Sequence, residues 1–265
     1  MSTRQPSLFI PHGGGPCFFM EWSPADTWKQ MQTFLEGVVA TLPARPRAIV
    51  VVSGHWEENA FTANTSAQPP LLFDYYGFPE HTYRLEYAAP GAPALARHVG
   101  ELITAAGLPY GENNTRGYDH GVFIPLKVML PAADIPIVQL SLLRGLDPAT
   151  HIRMGQALAP LRDDNVLIVG SGMSYHNLRA FGPAGQAPSE AFDAWLSEAL
   201  QAPTAAARNA RLVDWEQAPA ARQAHPREEH LLPLMVAAGA AGEDLGNKVY
   251  ADHVNGLAIS AFRFG

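Results

Sequence analysis

Cysteine is almost absent: the 265-residue chain has one, Cys17, so no intrachain disulfide can form. That fits a reducing compartment, and a cytoplasmic location is the expectation. Charge is also scarce. Only 16% of the residues are charged, and acids outnumber bases by 25 to 18. No basic stripe breaks the acidic balance, so nucleic acid is not an expected partner and an anionic membrane surface is disfavoured. Long hydrophobic runs are missing too. The longest apolar stretch, LLPLMVAAGAA from Leu231 to Ala241, is too short to span a bilayer. The opening residues, MSTRQPSLFIPHGGG, lack the shape of a secretory leader.

Several chemical signatures are absent. No G-x-G-x-x-G follows a candidate strand and no G-x-x-x-x-G-K-[ST] occurs, which disfavours nucleotide cofactors. The zinc-protease helix H-E-x-x-H is missing. HGGG at His12–Gly15 resembles the oxyanion loop of lipase-like hydrolases, but no G-x-S-x-G elbow accompanies it. Cys17 has no second thiol and no evident base beside it, so it reads as a small buried residue.

What the chain does have is apolar content, at 47%, together with 23 prolines and 23 glycines. It is loop-rich yet able to bury a large core, as a single domain or as two intimate halves. Continuous apolar runs at Ser7–Ile10, Ala48–Ser53, Ile135–Leu142 and Val166–Ser171, with a fifth near the C-terminus, predict strands covered on both faces. Helical patterns fall at Ala25–Leu42, Ala92–Ala106, His151–Leu161, Ser189–Leu200 and Glu228–Ala241. The alternation predicts an α/β layered fold, and the C-terminal strand suggests a mixed sheet. The stretch between Ala60 and Pro90, dense in aromatics and prolines, is too apolar for a linker and is expected to wrap the core or line a pocket.

The ten histidines form a pattern. His12, His55 and His176 each follow a candidate strand, and the carboxyl ends of strands form the ligand crevice of open α/β sheets. His230 joins them from HPREEH, at the expected start of a helix, and His120 lies in a glycine-flanked loop, GYDHG. Neutral imidazole is the commonest metal ligand, and three or four of them suit Zn or Fe better than Mg or Ca. His81, His98, His151 and His253 lack such placement and read as ordinary structural or surface residues.

In this order, FIPHGGGP, VVVSGHWE, GYDHGVFIPLK, IPIVQLSL, GSGMSYHNL and HPREEHLLPL resemble the class III extradiol ring-cleavage dioxygenases. The branch most resembled is the 4,5-DOPA extradiol dioxygenase-like one, related to the catalytic subunit of protocatechuate 4,5-dioxygenase. The resemblance implies a three-layer α/β/α sandwich with a mixed β-sheet, forming a single catalytic domain over residues 1–265. It implies one divalent metal, Fe(II) for activity or Zn(II) as bound, held by His12, His55 and His230. His176 matches the acid/base histidine and stands as an alternative fourth ligand; His120 matches a pocket histidine that contacts substrate or oxygen. Glu229, next to His230, is the alternative third ligand. The implied partners are a small aromatic diol and dioxygen, with a homo-oligomer left open. Phe18, Trp22, Trp56, Tyr118 and Tyr175 are candidates for an aromatic wall, with Phe123 assigned to the core. His120 and Arg179 are candidates to pair with a substituent of the diol. A zinc hydrolase and a non-catalytic metal-binding relative are the competing readings.

Overall fold

The apolar runs become the centre of one eight-stranded sheet. The structure, a computed structural model, describes residues 3–265. Met1 and Ser2, which begin the stretch read as lacking a leader, lie outside the described residues. In chain order the elements are β1 (Ser7–Pro11), α1 (Lys29–Val38), β2 (Ala48–Glu58), β3 (Phe61–Asn64), α2 (Pro93–Ala105) and β4 (Tyr110–Asn113). Then come α3 (His120–Met129), β5 (Ile137–Leu143), α4 (Pro148–Leu158), β6 (Val166–Gly172), α5 (Gln186–Leu200) and α6 (Ala205–Val213). The chain ends with α7 (Ala221–Ala224), α8 (Leu232–Ala240), β7 (Gly246–Val254) and β8 (Leu257–Phe264).

The strand order is β4-β3-β5-β2-β6-β1-β8-β7. β1, β2, β5 and β6 run parallel, while β8 is antiparallel to β1 and β3 is antiparallel to β5. The sheet is therefore mixed, and its four parallel strands end at one edge. Both faces are covered, as alternate residues of β6 show. A Cβ added at Gly170 or Gly172 would meet the backbone of Pro233 or His230, whereas the Ser171 hydroxyl donates to the Gly121 carbonyl in α3. Successive strand residues point to opposite faces, so α8 and α3 lie on opposite sides. α4 packs on α8, and α1 packs on α3, which completes three layers.

Local sequence explains most boundaries. α4 opens at Pro148 after Asp147, whose carboxylate accepts from the Thr150 N–H at 2.7 Å, a standard first-turn arrangement. α8 is apolar on every side and fully buried, as a helix sandwiched between layers must be. β7 alternates buried and exposed residues, the pattern of an edge strand with one wet face.

Two expected helices start four residues later in the structure. The first, expected from Ala25, begins at Lys29. The last, expected from Glu228, begins at Leu232. Pro233 lacks an N–H and fits the first turn. Upstream, Glu228 and Glu229 engage Arg222, His176 and His230 rather than the helix end. β3, β4, β7, α6 and α7 add to the elements expected from the pattern.

Candidate metal centre

Four elements deliver histidines to the ends of the parallel strands. His12 follows β1 directly, and its N–H donates to the Gly172 carbonyl at 3.2 Å. The turn after it needs Gly13, which has φ of +78° and whose Cβ would lie 2.3 Å from the Cys17 Sγ; only glycine fits there. His55 does not follow its strand, as expected, but lies within β2, at the irregularity between Val52 and Glu57. Its N–H donates to the Ser53 hydroxyl at 3.2 Å. His120 is the first residue of α3 and not part of a preceding loop. His176 lies just past β6, and its N–H donates to the Ala224 carbonyl at 2.9 Å.

His230 sits in a turn before α8 rather than on a helix. Its carbonyl presses against the end of β6, where it accepts from the Met173 N–H at 3.1 Å. A Cβ at Gly172 would fall 2.1 Å from that oxygen, so a bare backbone is what lets the turn close over the strand. Arg227 ties the same turn to β2 through both oxygens of Glu57, at 2.5 and 2.6 Å.

Three Nε2 atoms converge. His55 Nε2 lies 3.2 Å from His12 Nε2 and 3.2 Å from His230 Nε2. On the opposite side of two of these rings the tautomer is fixed. His12 Nδ1 is 2.9 Å from the Gly13 carbonyl, and His230 Nδ1 is 2.9 Å from Glu229 Oε1. A carbonyl or carboxylate only accepts, so each Nδ1 carries the proton and each Nε2 presents a lone pair. Nitrogens bonded to one ion at about 2.0–2.1 Å stand about 3 Å apart, so this spacing suits a shared cation.

The electrostatics agree with neutral, ligand-ready rings. Burial holds His12, His55 and His230 well below the ordinary imidazole range, and the neighbouring histidines push in the same direction. Metal binding therefore competes with few protons near neutrality.

His120 and His176 flank this trio. The His120 ring lies 3.9 Å from that of His55, centroid to centroid, and its Nδ1 is 2.8 Å from Asp74 Oδ1. The His176 ring stacks on His230 at 3.4 Å and 16°, and its Nδ1 lies 3.2 Å from the same Glu229 oxygen that serves His230. Burial, the largest single influence, would raise the Glu229 pKa, but the His176 contact, its own backbone N–H and the Arg227 charge together outweigh it and hold the carboxylate below the ordinary range. Asp74 behaves alike: burial opposes ionisation, and its bonds to His120 overcome it. By donor geometry, two groups could hold an ion: His12 with His55 and His120, and His176 with Glu229 and His230. The 3.2 Å contacts through His55 join the two into one centre. Glu229 lies on the Nδ1 side of His230, away from the convergent Nε2 atoms.

Beneath the site, Asp119 is fully buried. It accepts from the Ser53 hydroxyl at 2.7 Å, from Arg116 at 3.1 Å and from Gln139. Burial, then the Asp74 charge, raises its pKa. Arg116 also donates to the His55 carbonyl at 3.2 Å, so this network braces β2 where it carries His55.

All five expected histidines border one cavity of about 440 Å³. Of the expected aromatic wall, Trp22 and Tyr175 line it. Phe18, Trp56 and Tyr118 do not; Tyr118 instead donates to backbone carbonyls in the core, and Phe123 is core as expected. Arg179 is exposed and lies outside the lining. The pattern missed Asp74, Asp119 and the lining residues Trp28, Tyr75, Phe78 and Phe181. The dense segment between Ala60 and Pro90 was the available signal for Asp74, Tyr75 and Phe78.

Residues 7–262 match a family described as the catalytic LigB subunit of aromatic ring-opening dioxygenase. The dioxygenase tasH of Hapsidospora irregularis is 40% identical over the whole chain and 87% of its own length. The 4,5-DOPA dioxygenase extradiol of Beta vulgaris is 38% identical over 90% of the chain and 87% of its length. The protein of the same name from Escherichia coli K12 is 35% identical over 90% and 86%. The crystal structure of an uncharacterized protein, JW3007, from Escherichia coli K12 superposes with a TM-score of 0.75 at 31% identity, covering 99% of this chain and all of that one.

Proposed function

Because the chain belongs to the family of catalytic LigB subunits of aromatic ring-opening dioxygenases, we propose that it opens a catechol-type ring by extradiol cleavage with both atoms of dioxygen, acting as a single catalytic domain over residues 1–265. The carbon–carbon bond beside the diol breaks, and each new carbonyl or carboxyl group takes one oxygen atom. The observation that supports this most is the convergence of the His12, His55 and His230 Nε2 atoms at 3.2 Å spacing through His55.

In this reading His12, His55 and His230 hold one divalent metal, Fe(II) in the active form, with Zn(II) able to occupy the same nitrogens. Bound Fe(II) supplies open positions for diol and dioxygen together and a path for electron density between them. Glu229, on the Nδ1 side of His230, serves as a partner of the ligand rather than a ligand.

The protein's own residues manage protons and position. His176 has its Nδ1 against Glu229, which leaves Nε2 as the basic atom and holds the ring still. That is the logic of a carboxylate-oriented histidine base. His176 takes a proton from a diol hydroxyl and later returns one to the opened ring. His120, held at Nδ1 and at its backbone N–H by Asp74, presents its other nitrogen to the diol or to dioxygen. The aromatic lining keeps bulk water from the reacting carbons.

Among the described residues no helix is long and apolar enough to cross a membrane. A cytoplasmic location accords with the single thiol. The test is oxygen uptake on a panel of catechols by protein loaded anaerobically with Fe(II), compared with the zinc form. The expected result is oxygen-dependent formation of a yellow ring-opened semialdehyde by the iron form alone. Oxygen-independent hydrolysis by the zinc form would replace this reading with a zinc hydrolase.

A further inference from the structure

The cavity over the histidines is lined with carbon and carries no cation of its own. Apart from the five histidines and Gly13–Gly15, its described lining is aromatic or aliphatic; no Lys, Arg, Asp, Glu, Asn or Gln contributes. The polar tips of that lining are mostly turned away. Trp22 Nε1 donates to the Cys17 carbonyl at 2.8 Å, Tyr75 to the Thr82 carbonyl at 2.6 Å, and Tyr175 to the Ala180 carbonyl at 3.1 Å. Trp28 Nε1 is buried with no partner, but it is a neutral donor.

Arg179, next to Leu178 in the chain, has no side-chain partner among the described residues, but it is exposed and lies outside the lining; the other nearby cations are committed elsewhere. Arg116 is bound to Asp119 and the His55 carbonyl, and Arg227 to Glu57. Lys127 donates to the Glu86 carbonyl. His120 and His176 face Asp74 and Glu229 and are needed by the diol itself.

The mouth is apolar as well. Tyr76, Leu178 and Phe181 line the cavity and are 91%, 72% and 40% exposed. Three of the six exposed large hydrophobic residues among those described thus gather at one opening. Scattered exposed apolar residues need no explanation, but a cluster around a pocket marks a surface made to be covered.

We propose that the substrate is a catechol bearing an uncharged apolar substituent, alkyl or aryl, long enough to reach the mouth formed by Tyr76, Leu178 and Phe181. This rests on the ring-cleavage reading above and narrows its substrate class. A carboxylate or amino-acid side group, as in the DOPA for which several relatives are named, would lie against carbon with no cation of the lining to pair with it. An apolar group instead replaces water over apolar walls.

The test compares 4-propylcatechol with 3-(3,4-dihydroxyphenyl)propionate, which ends in a carboxylate at similar length, and with DOPA. Binding is measured calorimetrically on the zinc-loaded protein and turnover on the iron-loaded protein. We expect 4-propylcatechol to bind at least about tenfold more tightly than either acid, with the same preference carried in KM rather than kcat. Leu178→Lys, at an exposed position, should narrow the ratio at least about threefold by giving the carboxylate a partner. Equal or tighter binding of the acids overturns the proposal, as does failure of 4-propylcatechol to bind at millimolar concentration. Preferential binding of 4-propylcatechol without oxygen consumption, with iron verified in the protein, upholds the apolar site and removes the ring-cleavage reading. Turnover without preference does the reverse.

Discussion

Glu229 Oε1 faces the Nδ1 atoms of both His230 and His176. One carboxylate therefore orients a proposed ligand and the proposed base together. Glu229→Gln keeps the shape and an acceptor oxygen but removes the negative charge that both imidazoles face. It should weaken metal affinity and turnover, each by about 10–100-fold, the range for partners of metal-bound histidines. Competition with a chelator and steady-state rates at saturating iron measure the two effects. His176→Ala should retain the metal and lose about 10²–10⁴-fold in kcat. If elemental analysis shows it losing metal as fully as His12→Ala, His176 is a ligand. The sequence exposed these histidines because imidazoles at strand ends are few and conspicuous. It concealed Asp74 and Asp119, since a lone aspartate in a loop looks the same whether it faces solvent or a buried histidine.

At the scale of elements, what matters is how closely the His230 turn can approach β6. Gly172 has no room for a methyl group: the obstacle is the backbone oxygen of His230, 2.1 Å from an added Cβ, and backbone cannot rotate away as a side chain can. Gly172→Ala should displace the turn, lower the melting temperature and release metal, whereas Gly37→Ala, with open space around its Cβ, should do neither. Thermal unfolding and metal content of the two variants check this. A glycine that closes a strand was readable in VLIVGSG, but its partner 58 positions onward was not. The last helix was anticipated four residues early because acids suit a first turn. Here the acids are held by Arg222, His176 and His230, and the helix starts at Leu232 with Pro233 in its first turn. The parallel core strands were legible as continuous apolar runs. The short β3 and β4 and the alternating β7 were not, because their burial depends on neighbours distant in sequence.

For the whole molecule, buried neutral histidines set an acid limit on stability. Burial lowers His151 to about 4 and His225 to about 3. His151 fits neutrality: Nδ1 lies 2.7 Å from the Asp147 carbonyl, and Nε2 accepts from the Leu143 N–H at 3.2 Å. The unfolded chain takes up these protons near pH 6.5, while the folded protein does not. Their contribution is thus complete above about pH 6.5 and falls by about 1.4 kcal/mol per unit and per histidine below it. The His151 part levels off near pH 4 and the His225 part near pH 3. Denaturant titrations of metal-free protein should show wild type losing about 1 kcal/mol more than His151→Gln between pH 6.5 and 5.5, where the unfolded imidazole goes from half to nearly fully protonated. Equal losses would mean that His151 is protonated without penalty in the fold.

The layered architecture was legible as alternating apolar runs and helical patterns, and it explains why the site forms where it does. Parallel strands ending at one edge, with β6 between β1 and β2, bring together residues as distant as His12 and His230. The most direct test of the central claim is the fate of dioxygen. Iron-loaded protein is supplied with 4-propylcatechol under ¹⁸O₂, and the ring-opened product is weighed by mass spectrometry. Incorporation of two labelled atoms in one product molecule, abolished by His55→Ala, is the expected result. A product whose added oxygen is unlabelled, or 4-propylcatechol that binds yet is recovered with its ring intact while the iron is in place, would contradict it.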